Sequence, residues 1–170
     1  MAIPGDLPAA VPVSAETSDR AQTGSLARVV LGARRERVTE IHQRYLRALA
    51  ARDAEGLRVL FDRVVLLDLE GNEFRPREDV VHSIEAMSLR VDVTQLGAQL
   101  ATLRPIVRSA GDLRRAGRVA PRAMQQEDWL IDGPARPMGP LMLVPRAMLI
   151  RWVADEPVIV AISLGARPFR

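Results

Sequence analysis

Apolar residues recur at helical spacing early in the chain and at strand spacing late in it. Val38, Ile41, Tyr45 and Leu49 lie three and four residues apart, one stripe of a helix expected over Leu26–Ala51. Asp53 is placed to cap a short second helix, Ala54–Phe61, whose apolar side is Leu57, Leu60 and Phe61. Val64–Leu69 is short, β-branched and bounded by Gly71 and Asn72, which predicts a strand apolar on both faces. Pro76, followed by Glu78 and Asp79, opens a third helix with Val80, Val81, Ile84 and Met87 on its apolar side.

Beyond Ser88 the helical period stops. Arg90–Thr94 alternates as a half-buried strand does, and Gln99–Arg108 reads as another, edged by Pro105. Ser109–Arg118 reads as a loop, Val119–Ile131 weakly as strand, and Gly133–Pro140 as a second loop rich in Gly and Pro. Leu141–Val153 and Pro157–Leu164 are the strongest late strands, joined by a turn at Ala154–Glu156. Helices followed by a run of strands argue for an α+β domain, with three N-terminal helices packed on one face of a curved mixed or antiparallel sheet and a pocket enclosed between them. Residues 1–25, with Pro4, Pro8 and Pro12 and much Ala, Ser and Thr, read as a disordered tail rather than a secretory signal, leaving 26–170 as a single domain.

Composition narrows the function classes. At 170 residues and 48% hydrophobic, the chain is large enough for one real core. It contains no lysine, so arginine supplies all 24 basic residues, yet the net charge is only +3. Aromatics make up 4%, and the densest basic cluster, Arg34-Arg35-Glu36-Arg37, is broken by a glutamate, which argues against a nucleic-acid stripe. No apolar run is long enough to span a bilayer. The absence of cysteine excludes disulfides and thiolate metal sites, and the two histidines, His42 and His82, cannot make a His-rich site alone, so no metal or cofactor is expected. A reducing cytoplasmic setting fits this composition.

Two residues carry candidate chemistry. Asp68 ends an apolar strand face, and burial raises a carboxyl pKa, which suits a general base. The alternative is that Asp68 only starts the turn, where Asp is common. Tyr45, the one tyrosine, lies in the helix stripe, where a hydroxyl must find a partner. That partner is either a substrate or a core carbonyl.

The segments Gln43-Arg44-Tyr45-Leu46, Ala48–Leu57, Leu60-Phe61, Leu67-Asp68-Leu69-Glu70-Gly71 and Pro76-Arg77-Glu78-Asp79-Val80 resemble the ketosteroid isomerase and SnoaL-like branch of the nuclear transport factor 2 (NTF2)-like superfamily. The match runs over about Val38–Thr94, and Arg146–Trp152 with Val158–Leu164 is similar to that fold's closing hairpin. The resemblance implies a cone-shaped fold with a catalytic strand aspartate at Asp68 and a helix tyrosine at Tyr45. The late-strand acid of the isomerases falls at about Met148, which cannot donate, so efficient steroid isomerisation is not expected. Glu127-Asp128-Trp129-Leu130 and the late Arg-Ala-Met-Leu strand are closer in look to polyether epoxide hydrolase/cyclases, which implies Asp68 as base with Asp92 and Tyr45 on the acid side. The substrate would be a hydrophobic, polyketide-like molecule lined by Phe61, Leu66, Met87, Trp129, Met148 and Trp152. The competing expectation is a non-catalytic binding or partner subunit of the same fold, a homodimer or a pair with a related chain, using the Trp152 strand as its dimer face.

Overall fold

The computed structural model describes residues 15–92, 97–98, 100, 102–133 and 143–164, with side chains described from residue 24 onward. The chain divides after Arg34 into two units. The described part of the first is the opening half of helix α1 (Ala15–Ala51), along which Leu26, Val29, Val30 and Leu31 are exposed. The helix starts at Ala15, not Leu26, so Ala15–Ser25, assigned above to the tail, is helical. No proline falls within Ala15–Ala51, and the Ala, Glu, Arg and Gln residues of Ala15–Ser25 favour helix. Residues 1–14 lie outside the described part.

The second unit is α+β. After α1 come α2 (Ala54–Arg58), β1 (Phe61–Leu66), β2 (Phe74–Pro76), α3 (Arg77–Ser88), β3 (Ile106–Ser109), α4 (Ala110–Arg115), β4 (Trp129–Asp132), β5 (Pro145–Val153) and β6 (Glu156–Leu164). Two helices, not three, therefore precede the first strand; α3 follows the β1–β2 hairpin. Among the described residues the strands form one six-stranded mixed sheet in the order β2-β1-β6-β5-β4-β3. β1 lies parallel to β6, and the other neighbours are antiparallel.

Local chemistry explains the boundaries. Arg52, at φ 52°, ends α1 in the left-handed region, and the Asp53 carboxylate then accepts the Gly56 amide at 2.9 Å to start α2. A β-carbon on Gly56 would stand 2.4 Å from that carboxylate, so the cap requires glycine there. The β5–β6 hairpin turns on Ala154 and Asp155, both at positive φ, as a two-residue turn matched to strand twist demands. α3 buries Val80, Val81 and Ile84, as its spacing predicts.

Four expectations need correction. Of Gln99–Arg108 only the end is strand, in β3; Leu100 is helical and 102–105 is not strand. Arg90–Asp92 is not strand: the amides of Leu89, Arg90 and Val91 donate back to Glu85, Met87 and Ser88, so they prolong the α3 terminus. Thr94 lies outside the described residues, as does 134–142, which holds most of the expected Gly- and Pro-rich loop and the start of the late strand. Ser109–Arg118 is not all loop, because Ser109 and Asp112 form a reciprocal capping box that starts α4. Val119–Asp128 is not strand either; it crosses the sheet, with the Ala123 amide donating to the Leu69 carbonyl at 2.9 Å.

Alternating residues put the two faces of the sheet in different surroundings. On one face, Phe61, Val65, Trp129, Ile131, Met148, Ile150, Ile159 and Ile162 pack with Val38, Ile41, Tyr45 and Leu49 of α1 and Val80, Val81 and Ile84 of α3. The space expected to be an enclosed pocket is occupied by this cluster. On the other face Leu149, Val160 and Ala161 are buried with Leu66, Leu69, Ala123 and Met124.

The covering segment on that second face is fixed by one ion pair. Asp128, 1% exposed, accepts Arg151 Nε at 3.0 Å, Arg151 Nη2 at 2.8 Å and the Gln125 amide at 2.8 Å. The Asp128 carboxylate in turn holds the Arg151 guanidinium above its already high pKa. Removing one partner leaves a desolvated charge, which typically costs about 3–5 kcal/mol. Asp128→Ala is therefore expected to lose about 3 kcal/mol in urea unfolding, whereas Asp128→Leu with Arg151→Met regains most of that loss. Additive losses in the double variant would contradict this account.

Candidate functional site

The structure does not assemble the expected catalytic set. Tyr45 is fully buried, its hydroxyl donates to the Leu143 carbonyl at 3.1 Å, and its ring meets Phe61 edge-on at 6.3 Å. Burial pushes the phenol above its usual range, so it acts as a core hydrogen-bond donor. Asp68 lies beyond the end of β1, half-buried, with Oδ1 accepting the amides of Glu70 at 3.1 Å, Gly71 at 2.8 Å and Asn72 at 3.1 Å. The Asn72 amide, with those of Gly71 and Glu70, holds this carboxyl below the ordinary aspartate range against the upward push of desolvation. Asp68 is thus turned into its own loop as a turn-starter, not towards the cluster that contains Tyr45. Asp92 is exposed past the end of α3.

The expected lining residues divide in the same way. Phe61, Trp129 and Met148 are buried in the helix-side cluster, and Met87 and Trp152 pack against it. Leu66 belongs to the cluster on the opposite face. Trp152 looks towards α1, where the Arg37 guanidinium lies 4.9 Å from its ring centre. Arg37 also donates to the Asp155 carbonyl and to Glu156, tying α1 to the β5–β6 turn.

A different site lies along α1. A groove of about 660 Å³ is lined by apolar Leu46, Ala50, Leu100, Leu103 and Pro105 and by polar Thr39, His42, Gln43, Arg47 and Arg104. A smaller hollow of about 230 Å³ shares His42, Leu103, Arg104 and Pro105 with it and adds Ile106, Asp132 and Gly133. His42 stands where the two meet. Its residue is 3% exposed, and its Nδ1 is buried without a hydrogen-bond partner among the described residues. Burial lowers the imidazole from 6.5 to about 4, so it is neutral at pH 7. Asp132, the one carboxylate among the described residues at the smaller hollow, is engaged by Arg108 and Arg118.

Sequence reasoning passed over His42 except as a metal ligand. The signal was present: His42 is four residues after Val38, three before Tyr45 and four before Leu46, so the stripe that buries those residues buries it too. Among the described residues, no group of three or more His, Asp and Glu side chains is placed to hold a metal, and no helix is long and apolar enough to cross a membrane.

Comparison of the chain with protein-family models, with curated proteins and with solved structures finds no match. The functional reading therefore rests on the geometry and on the resemblance carried by the sequence.

The depressed His42 pKa has a stability consequence. Between pH 6.5 and about 4 the unfolded chain takes up a proton at His42 that the folded chain refuses. The His42 contribution is complete above pH 6.5 and declines as the pH falls to about 4, by on the order of 3 kcal/mol. His42→Leu removes that arm, so the stability difference between wild type and variant should change by that amount across the window. Parallel pH curves from urea titrations would overturn the assignment.

Proposed function

We propose that this chain is a small-molecule-binding domain of NTF2-like type, which holds a largely apolar ligand in the groove beside His42. The observation that carries the reading is a groove of about 660 Å³ on the surface of α1 whose lining includes His42, a buried histidine with no Nδ1 partner among the described residues. Ligand sites are concave, predominantly apolar and supplied with a few polar groups, at volumes of about 300–1,000 Å³. Buried polar atoms are nearly always paired, so the His42 Nδ1 next to this groove is an exception to the rule.

The NTF2-like part of the proposal is supported by the matching segments in α1–α3, and by helices stacked on one face of a mixed sheet in which β1 joins β6. Non-catalytic binding is preferred to epoxide opening by the states of the two residues that acid/base chemistry would need. The Asp68 Oδ1 is taken up by three amides, and the Tyr45 hydroxyl is taken up by Leu143. A general base must reach the proton it removes, with a pKa near the working pH, and neither residue is so placed.

The test is a fluorescence titration of the full chain with N-phenyl-1-naphthylamine, a neutral aromatic of suitable size. Saturable binding is expected. Gln43→Trp, an exposed position on the groove wall, should weaken it ten-fold or more while leaving the circular dichroism spectrum unchanged. Absence of saturable binding, or equal binding by the variant, overturns the proposal.

A further inference from the structure

Strand β2 ends the sheet, with β1 on one side and, among the described residues, no strand on the other. Edges of this kind are usually blunted by charge, proline or a covering segment, because their unpaired backbone groups invite another strand. Here an aromatic ring stands on the edge: Phe74 is 63% exposed. It lies opposite Leu66 in the β1–β2 register, and Pro76 lies opposite Val64, so the four share one face of the sheet. Val64 and Pro76 are exposed as well.

The ladder decides which backbone groups point outward. The Leu67 amide donates to the Glu73 carbonyl at 3.0 Å, so Glu73 and, two residues on, Arg75 turn their N–H and C=O towards β1. Phe74, between them, turns both of its groups to the free edge. Its neighbours along that edge offer no donor: the Asn72 amide is taken by Asp68 Oδ1 at 3.1 Å, and Pro76 has no N–H.

We propose that β2 pairs with β2 of a second copy of this chain, antiparallel and centred on Phe74, independently of the groove on α1. In that register each Phe74 N–H donates to the Phe74 carbonyl of the other copy, and the two rings stand side by side on one face. Charge selects the same register. Glu73, just ahead of β2, and Arg75 share the other face, 3.1 Å apart and each about half exposed. Centred on Phe74, Glu73 of each copy stands opposite Arg75 of the other. Centring on Glu73 or on Arg75 would set that residue against its own copy, and like charges directly opposite destabilise a strand pair. The contact is self-complementary about a two-fold axis, so it closes as a dimer and joins two six-stranded sheets edge to edge.

Sedimentation equilibrium of the full chain over a hundred-fold range of concentration is expected to show monomer and dimer in exchange. Glu73→Arg and Arg75→Glu each place like charges opposite one another and should each weaken self-association ten-fold or more. Mixed in equal amounts, the two variants should bind each other about as tightly as wild type binds itself, because every facing pair is again opposite in sign. Phe74→Pro removes the ring and the outward donor without removing a bond to β1. It should give a monomer with the wild-type circular dichroism spectrum; if it fails to fold, the mixing experiment decides alone. A wild-type chain that stays monomeric throughout overturns the proposal and leaves the edge to a strand of some other protein. Dimerisation that the charge reversals do not weaken, or that mixing them does not restore, puts the contact on another face and also overturns it.

Discussion

The way α1 lies on the sheet constrains the rest of the second unit. A helix offers one stripe to its support, and the stripe through Val38, Ile41, Tyr45 and Leu49 is fully or almost fully buried. Rotating the helix to spare any one residue would expose the others. The polar groups that share the stripe, the Tyr45 phenol and the His42 imidazole, are carried under with it. Tyr45 finds a carbonyl just ahead of β5, whereas the His42 Nδ1 finds nothing. Leaving a buried polar atom unpaired costs about 1–3 kcal/mol, a large share of a typical domain stability of about 5–15 kcal/mol. The same packing that builds the core therefore leaves a polar atom with no partner among the described residues, in a residue that lines an open groove.

The opposite face of the sheet explains why that groove is at the margin of α1 and not in the middle of the domain. Leu149 and Ala161 of β5 and β6 are fully buried on a face where, among the described residues, they pack with Leu66, Leu69, Ala123 and Met124. The segment 119–128 covers that face, held by the amide of Ala123 on Leu69 and by Asp128 on Arg151. With α1 and α3 filling one side and this segment closing the other, β5 and β6 have no concave surface to offer. The groove forms instead where α1 meets the residues leading into β3, Leu100 to Pro105, at the far edge of the sheet.

Much of this architecture is legible in the sequence, and the failures have physical causes. The α1 stripe, the Asp53 cap, the α3 face and the β5–β6 hairpin are each set by local periodicity or turn chemistry, and each is found. β1 was displaced because Phe61 reads equally well as the end of a helix stripe and the start of a strand. α4 was missed although Ser109 and Asp112 are spaced as a capping box, because the arginines and glycine around them suggested a loop. Asp68 was the central ambiguity. An aspartate between an apolar run and Gly71 fits a buried base and a turn-starter alike, and only the positions of the following amides, which no spacing reveals, choose the turn. His42 was readable, since its burial follows from spacing, but that it would lack a partner depends on the far side of the fold.

The use of arginine as the only cation bears on catalysis as well as on binding. A carboxyl group serves as a general acid or base near neutral pH when its environment raises its pKa. Arginine remains charged throughout the accessible range and grips carboxylates through two donors, which favours the ionised form. Asp128, Asp132 and Asp112, which packing takes partly or wholly out of water, are each paired with arginine: Asp128 with Arg151, Asp132 with Arg108 and Arg118, and Asp112 with Arg35 and Arg115. Asp68 instead accepts backbone amides, which lower its pKa. The arginines that fix the loops and helix ends thereby tie up the acids that a proton-transfer mechanism would draw on. The Arg47 guanidinium, on the wall of the groove, makes no such pair among the described residues.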